Sequence, residues 1–378
     1  MKTSIPARLR PLVQALLPLG LALAVLPSAQ AGATFKIDEN NSVSIGGGLR
    51  VSYSSVEDGA PSGDSRSNDF TMEVARLYMS ARIQKVFGVT FNVDALEDDV
   101  KLLDAYVQYE PSSLFNVWMG RMLPPSDRAN LDGPFFIAAW DYPGVVSSYP
   151  AIFAGRDNGI TVWGKPLGGK LTYAFGLFEG HNKAAGLSNE DANLLFAGRV
   201  AYAFLDAEPA PAYYTASTYY GAKDLFTVGL ALLQQSDGVG TAGNKDDYLG
   251  YNIDVLFEKN LGPGVLTLEG AAYKYDFDDV DVAPATGNVG GLAPGKAYLV
   301  SVAWLFPQPI GHGKLQPFVR YQRSSPDAAN RDVSAYDIGL NYVISGHNAR
   351  LSAVYTNTDS DATGSKIDKF LIGAQFQY

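Results

Sequence analysis

Along most of its length the chain alternates apolar and polar positions with a period of two, in runs of about ten residues broken by Gly, Pro, Asn and Asp. In VSAYDIGLNYVIS, Tyr336, Ile338, Leu340, Tyr342 and Ile344 share one face, while Asp337, Gly339, Asn341 and Val343 share the other. Similarly, Tyr251, Ile253, Val255 and Phe257 oppose Asn252, Asp254, Leu256 and Glu258. About sixteen such runs extend from 43–55 to 367–378, and an even number returns both ends to one side. Short turns near 84–88, 110–113, 165–169, 259–264, 307–313 and 345–348 mostly alternate with longer polar connections. The connection 206–223 breaks this rule: it is long, carries Tyr213, Tyr214, Tyr219 and Tyr220, and falls on the short-turn side. A further pair of strands would fit there.

Alternation alone is equally compatible with a soluble β-sandwich or propeller. Full charges in mid-strand (Arg76, Asp254, Glu269 and Arg320) lie on the polar faces, and a lipid-facing Arg at the bilayer midplane costs roughly 2–4 kcal/mol. Those faces therefore belong to a wet lumen. Aromatics gather at strand ends (Phe257, Phe306, Tyr342 and Tyr355), where amphipathic rings suit a lipid–water interface. The chain stops in mid-pattern on KFLIGAQFQY, with Phe370, Ile372, Ala374, Phe376 and Tyr378 on one face. The expected fold is all-β: a transmembrane antiparallel β-barrel of about sixteen strands, surrounded by outer-membrane lipid and lipopolysaccharide.

The N-terminus fits an exported chain. Lys2, Arg8 and Arg10 precede an apolar run from Leu12 to Leu26, and Ala29-Gln30-Ala31 forms a small-x-small cleavage site, so residues 1–31 read as a signal peptide and 32–378 as the barrel. Removing the leader takes the 29 basic residues to 26 against 39 acidic ones, a balance of −13, which argues against a nucleic-acid partner. The chain has no cysteine, hence no disulfide and no thiolate metal site. Closure of the sheet supplies stability instead, by pairing every strand edge.

A barrel of this size is too wide for wall side chains to fill. The connection from Leu123 to Asp157 is the longest in the chain and carries Phe135, Phe136, Ile137, Trp140, Tyr142, Pro143, Val145 and Val146. So apolar a loop packs on a surface, most simply the inner wall, as a constriction over 123–157 anchored by Phe135, Phe136 and Trp140. Arg121, Asp127, Arg128, Asp132, Asp141, Arg156 and Asp157 then stand at the constriction, with Asp127, Arg128 and Asp132 facing the passing solute. Enzyme chemistry is not expected. The three histidines, His181, His312 and His347, each follow a glycine in a loop or turn, with no Ser and acid at hand. No metal site or cofactor is implied: GVGTAG at 238–243 is followed by polar residues where a helix should begin, and Asp276, Asp278, Asp279 and Asp281 read as a solvated loop.

The segments GRMLPPSDRANLDGPF, GRDNGITVWG, YAFGLFEG, STYYGAKDLFTVG and LNYVISGHNARLSAVY resemble those of porins related to the phosphate-selective porin O and P family, over most of the chain beyond the leader. The resemblance implies a homotrimer of 16-stranded barrels with an inward third external loop, passing small polar solutes or ions. Relatives are associated with phosphate, with short-chain amides and urea, or with general small solutes. In phosphate-selective members an arginine ladder draws in anions, and here its candidates are Arg50, Arg76, Arg82, Arg199, Arg320 and Arg350. Asp104, Asp254 and Glu269 complete the expected lumen lining and are candidate partners for those arginines. The acidic balance and the acids of the loop depart from an anion channel and favour a transverse field that orients polar solutes.

Overall fold

The computed structural model describes residues 32–96, 99–145, 155–180, 193–241, 243–277, 294–361 and 363–378. The leader, Val146, His181, Asp278, Asp279 and Asp281 lie outside the described residues.

A short strand, β1 (Ala33–Lys36), precedes sixteen longer ones. The first eight are β2 (Ser42–Val56), β3 (Asp69–Ile83), β4 (Phe87–Leu96), β5 (Asp99–Tyr109), β6 (Asn116–Met122), β7 (Asp157–Gly164), β8 (Leu171–Phe178) and β9 (Leu195–Ala203). The rest are β10 (Leu225–Thr241), β11 (Asn244–Asn260), β12 (Val265–Asp276), β13 (Gly295–Leu305), β14 (Lys314–Pro326), β15 (Val333–Ser345), β16 (Ala349–Ser360) and β17 (Ser365–Gln377). Each pairs antiparallel with its neighbours in sequence, and β17 pairs with β2 to close the barrel. The one helix that positions the site, α1 (Arg128–Asp132), lies between β6 and β7. No strand forms in 206–223, so the room left there for a further pair is filled otherwise.

Each long strand carries the alternation through. On β15, Asp337 and Asn341 are buried while Ile338 is 55% exposed, and on β11 Asp254 is buried beside exposed Tyr251 and Ile253. Exposed apolar side chains recur on the outer face all round the barrel, among them Leu49, Phe91, Met119, Leu230, Val300 and Ile372. An apolar belt of that extent needs lipid around it. Aromatic pairs mark its two borders: Tyr53–Phe70 and Tyr336–Tyr355 at one rim, Phe87–Tyr109 and Phe204–Phe226 at the other. The buried face carries the polar groups, paired across strands: Arg76 with Asp94 on β3 and β4, Arg199 with Asp254, and Arg320 with Asp337 on β14 and β15.

Candidate functional site

The segment between β6 and β7 has no period to hold it in a sheet, so its backbone needs other partners. Five adjacent strands supply them from their buried faces. Gln375 Nε2 on β17 donates to the Phe135 carbonyl at 2.9 Å, Arg350 Nη1 on β16 to Ile137 at 2.7 Å, and Asn341 Nδ2 on β15 to Ala138 at 2.8 Å. Arg50 Nη2 on β2 donates to Trp140 at 2.6 Å, and Arg320 Nη1 on β14 to Asp141 at 2.8 Å. The Asp141 side chain accepts from Lys369 Nζ at 2.7 Å.

The anchoring aromatics dock where the wall has no side chain. A Cβ on Gly48 would lie 2.5 Å from the Phe135 ring, and one on Gly373 would lie 2.5 Å from the Trp140 ring. The Trp140 indole N–H donates to Glu73 Oε1 at 2.8 Å, and the Arg50 guanidinium stands 4.1 Å from the ring centroid. Phe136 is half-buried against the His347 ring, with centroids 4.8 Å apart.

The N-terminal part of the segment meets the opposite wall. Asp127 caps α1 by accepting from Asn130 N at 3.1 Å, and the Tyr273 hydroxyl also donates to it. Arg199 Nη1 on β9 donates to the Ser126 carbonyl at 3.1 Å and to Asp254 Oδ2 at 2.5 Å. Asp127, Arg128 and Asp132 are 1%, 1% and 2% exposed, so they do not face the passage as the sequence suggested. Asp127 lies against Tyr273 on β12, and Arg128 and Asp132 lie against the connection 206–223, which folds among buried residues after Asp206 and Asp224 close the β9–β10 ladder at 2.9 Å. Glu208 takes both guanidinium nitrogens of Arg128, at 2.5 and 3.1 Å. Thr215 Oγ1 donates to the Arg128 carbonyl, Ser217 N to the Phe136 carbonyl, and Ala138 N to Ser217 Oγ. Glu258 on β11 fixes the far end by accepting from Thr218 Oγ1, Tyr219 N and Gly221 N. Tyr213 and Tyr214 join an aromatic cluster on the wall around Trp118.

The remaining candidates are engaged as well. Arg82 pairs with Glu110, Arg156 Nε with Asp104 Oδ1 at 3.1 Å, and Arg50 stands 3.8 Å from Glu73. Arg121 donates to Asn158 Oδ1 at 3.3 Å, and Asp157 accepts from Gly180 N at 2.6 Å. Glu269 is half-buried on β12, within electrostatic range of Asp132. Glu73, Glu110, Glu208, Glu258 and Asp337 carry the partnerships without having been singled out in the sequence. Their only signal was a charge on the polar face of a strand or in an overlong turn.

Two buried groups respond to pH in opposite directions. Both oxygens of Asp132 lack a hydrogen-bond partner among the described residues, and burial, with the nearby Glu269 charge, pushes its carboxyl well above the ordinary 3.8. A raised carboxyl pKa stabilises the fold below pH 3.8 and progressively less as pH rises through the folded-state value. Asp132→Asn removes the charge that burial and Glu269 oppose, though not the unpaired polar atoms, and is therefore expected to stabilise the barrel at pH 7 by on the order of 1 kcal/mol. The check is the thermal midpoint in detergent at pH 7 and pH 4, where the gain should shrink.

His347 lies in the turn between β15 and β16, between the rings of Phe136 and Tyr220, with both ring nitrogens buried. Burial and the Arg350 charge lower its pKa from 6.5 to about 3. From pH 6.5 down to about 3 the unfolded chain binds a proton that the folded one refuses, so stability falls with pH across that window. His347→Phe is expected to flatten this slope, and unfolding rates measured between pH 7 and pH 4 test it.

The Gram-negative porin family matches residues 20–378. Among solved structures, the anion-selective porin from Comamonas acidovorans is similar with a TM-score of 0.58 at 13% identity, covering 89% of this chain and 100% of that one. Salmonella typhi OmpF, in a complex with daunomycin, gives 0.58 at 12% identity, covering 92% and 100%. The outer-membrane channel DcaP of Acinetobacter baumannii gives 0.57 at 13%, also covering 92% and 100%. A search of curated proteins found no match. At these identities the structural likenesses speak for the fold, and the family match speaks for descent: the chain belongs to the Gram-negative porin family, as a channel-type β-barrel of the bacterial outer membrane.

Proposed function

We propose that the protein is a passive, non-enzymatic porin whose water-filled lumen admits small hydrophilic solutes and ions, narrowed by the 123–157 loop folded inward and by the 206–223 connection folded toward it. The single observation that carries this reading is the row of loop carbonyls at Phe135, Ile137, Ala138, Trp140 and Asp141, each accepting from a different polar-face side chain of β2 or β14–β17. A surface loop has no use for such a row; a loop stretched along an inner wall does. The barrels associate as homotrimers in lipid and lipopolysaccharide, a reading supported by the resemblance to trimeric porins.

Charge pairing favours weak selectivity over an anion ladder. Of the six ladder arginines, Arg76, Arg82, Arg199 and Arg320 are salt-bridged to wall carboxylates, Arg50 stands near Glu73, and Arg350 is spent on loop carbonyls and Gln375. A paired guanidinium offers a passing anion little net attraction. Planar-bilayer recording of the purified protein across a salt gradient tests both readings. Stepwise conductance with a small reversal potential is expected. Absence of steps would sink the channel, and strong anion preference abolished by millimolar phosphate would establish the alternative, a phosphate-selective porin of the O and P type.

A further inference from the structure

The loop 123–157 presents very little of itself to open space. From Leu123 to Trp140 every residue is buried or half-buried, and the two side chains that come out stand next to one another, at Asp141 and Tyr142. Asp141 is committed, its carbonyl accepting from Arg320 and its carboxylate from Lys369. Tyr142 is 37% exposed, and its hydroxyl makes no hydrogen bond among the described residues, which leaves it to water and to whatever passes.

This exposure is not toward the outside of the molecule. Arg50 on β2, Arg76 on β3, Asp132 on α1 and Arg156 near the loop's far end all lie within electrostatic range of the phenol. A side chain open to water yet ringed by charges of the wall and of the loop stands in a wet space that the two enclose. The charges themselves are recessed: Arg76 pairs with Asp94 and Arg156 with Asp104, and neither these four nor Arg50 has a tenth of its side chain exposed. A solute at this level therefore meets the phenol before it meets a guanidinium.

Local sequence holds the ring out. Arg320 fixes the carbonyl before it, and Pro143 after it confines Tyr142 to extended backbone. Two half-buried phenols from other elements gather at the same place. Tyr78 on β3 has its ring centroid 6.0 Å from the Arg76 guanidinium, and Tyr214 of the connection 206–223 backs onto Trp118. Arg76 is within electrostatic range of all three.

We propose that Tyr142 is the specificity-determining residue of the passage, its ring setting the aperture on the side facing Tyr78 and Tyr214. Selection at this neck is then by size and not by charge, so larger neutral solutes are held back more than small ones. The proposal rests on the inward-loop reading above and adds to it the residue that defines the bore.

The chain has no cysteine, so Tyr142→Cys carries a single thiol at the position in question. In planar bilayers in KCl, loss of the ring should raise single-channel conductance by roughly half, since pore width governs flow. A water-soluble methanethiosulfonate bearing a trimethylammonium group should then return the conductance to about the parent value, and dithiothreitol should reverse the change. Ala129→Cys, at a site on α1 that is 4% exposed, should not react. Liposome swelling in arabinose, glucose and sucrose gives a second readout, and serves where the cysteine variant fails to insert. Tyr142→Ala should speed sucrose more than arabinose, whereas Tyr142→Phe, which keeps the ring, should preserve the parent's ratio. A thiol that stays unmodified, or a conductance and sugar ratio that the loss of the ring leaves unchanged, overturns the role of Tyr142 and leaves the channel standing. A rise shared by Tyr142→Phe, or a reactive Ala129→Cys, marks a loosened loop and overturns it too. Absence of steps in the parent removes the channel and the aperture together.

Discussion

Deleting Asn130–Tyr142 should raise single-channel conductance severalfold, because it removes the last three residues of α1, both buried aromatic anchors and all five carbonyls that accept from the wall. Gly373→Leu should act in the same direction with the chain length intact. Its added side chain would occupy the space of the Trp140 ring, which a Cβ alone already approaches to 2.5 Å. Displacing Trp140 also breaks its bond to Glu73 and its stacking with Arg50. Bilayer recording of both variants beside the parent decides the matter, and unchanged conductance in both would refute the constriction. The comparison is informative because deletion also uncovers Arg350 and Gln375, whereas Gly373→Leu leaves them covered by the displaced loop's remaining contacts.

The second large effect concerns stability. Glu208→Ala removes the carboxylate that holds both terminal nitrogens of the Arg128 guanidinium and leaves a cation, 1% exposed, whose side chain keeps Asp254 at 3.5 Å and the Ala216 carbonyl at 3.1 Å. Breaking one partner of a buried pair costs about 3–5 kcal/mol, whereas replacing both by apolar groups of similar size is often neutral. The expected result is a marked drop in thermal midpoint for Glu208→Ala, largely recovered in the Arg128→Met/Glu208→Leu double variant. If the double variant is as unstable as the single one, the pair is not what joins the loop to the connection 206–223. Glu208 stays ionised while paired, since Arg128 beside it outweighs burial and holds its carboxyl below the ordinary 4.5. Acidification through that range should weaken the junction in the parent and leave the double variant unaffected.

The barrel was legible because its physics is periodic. One side of each strand meets lipid and the other meets polar groups, so sequences such as those of β11 and β15 declare their faces at every second residue, and turn residues mark where they stop. The loop announced itself by the opposite property, an apolar stretch with no period. Which charges would be open was not legible. Arg128 and Asp132 are covered by residues some eighty positions downstream and Asp127 by Tyr273 further on, and none of these segments carries a local signal for the other. The connection 206–223 was visible only as an irregularity, because Tyr213, Ser217 and Glu208 act through contacts that have no spacing along the chain. The carboxylates that pair with the arginines, Asp94, Glu110 and Asp337, depend on register across strands, which no local pattern reveals.

Closure of the barrel brings together residues more than three hundred positions apart, as Gly47 and Tyr378 exchange backbone hydrogen bonds beside the β17–β2 ladder. β1 continues that line against the start of β2, at Ala33 opposite Ile45. The seam is thus the join that closes the longest stretch of chain, and so the one with the largest loop-closure entropy. The segment from Phe135 to Trp140 is gripped by Gln375 on one side of that seam and by Arg50 on the other. It ties the two sides of the closing edge to one another, so a chain that lost it should also unzip more readily.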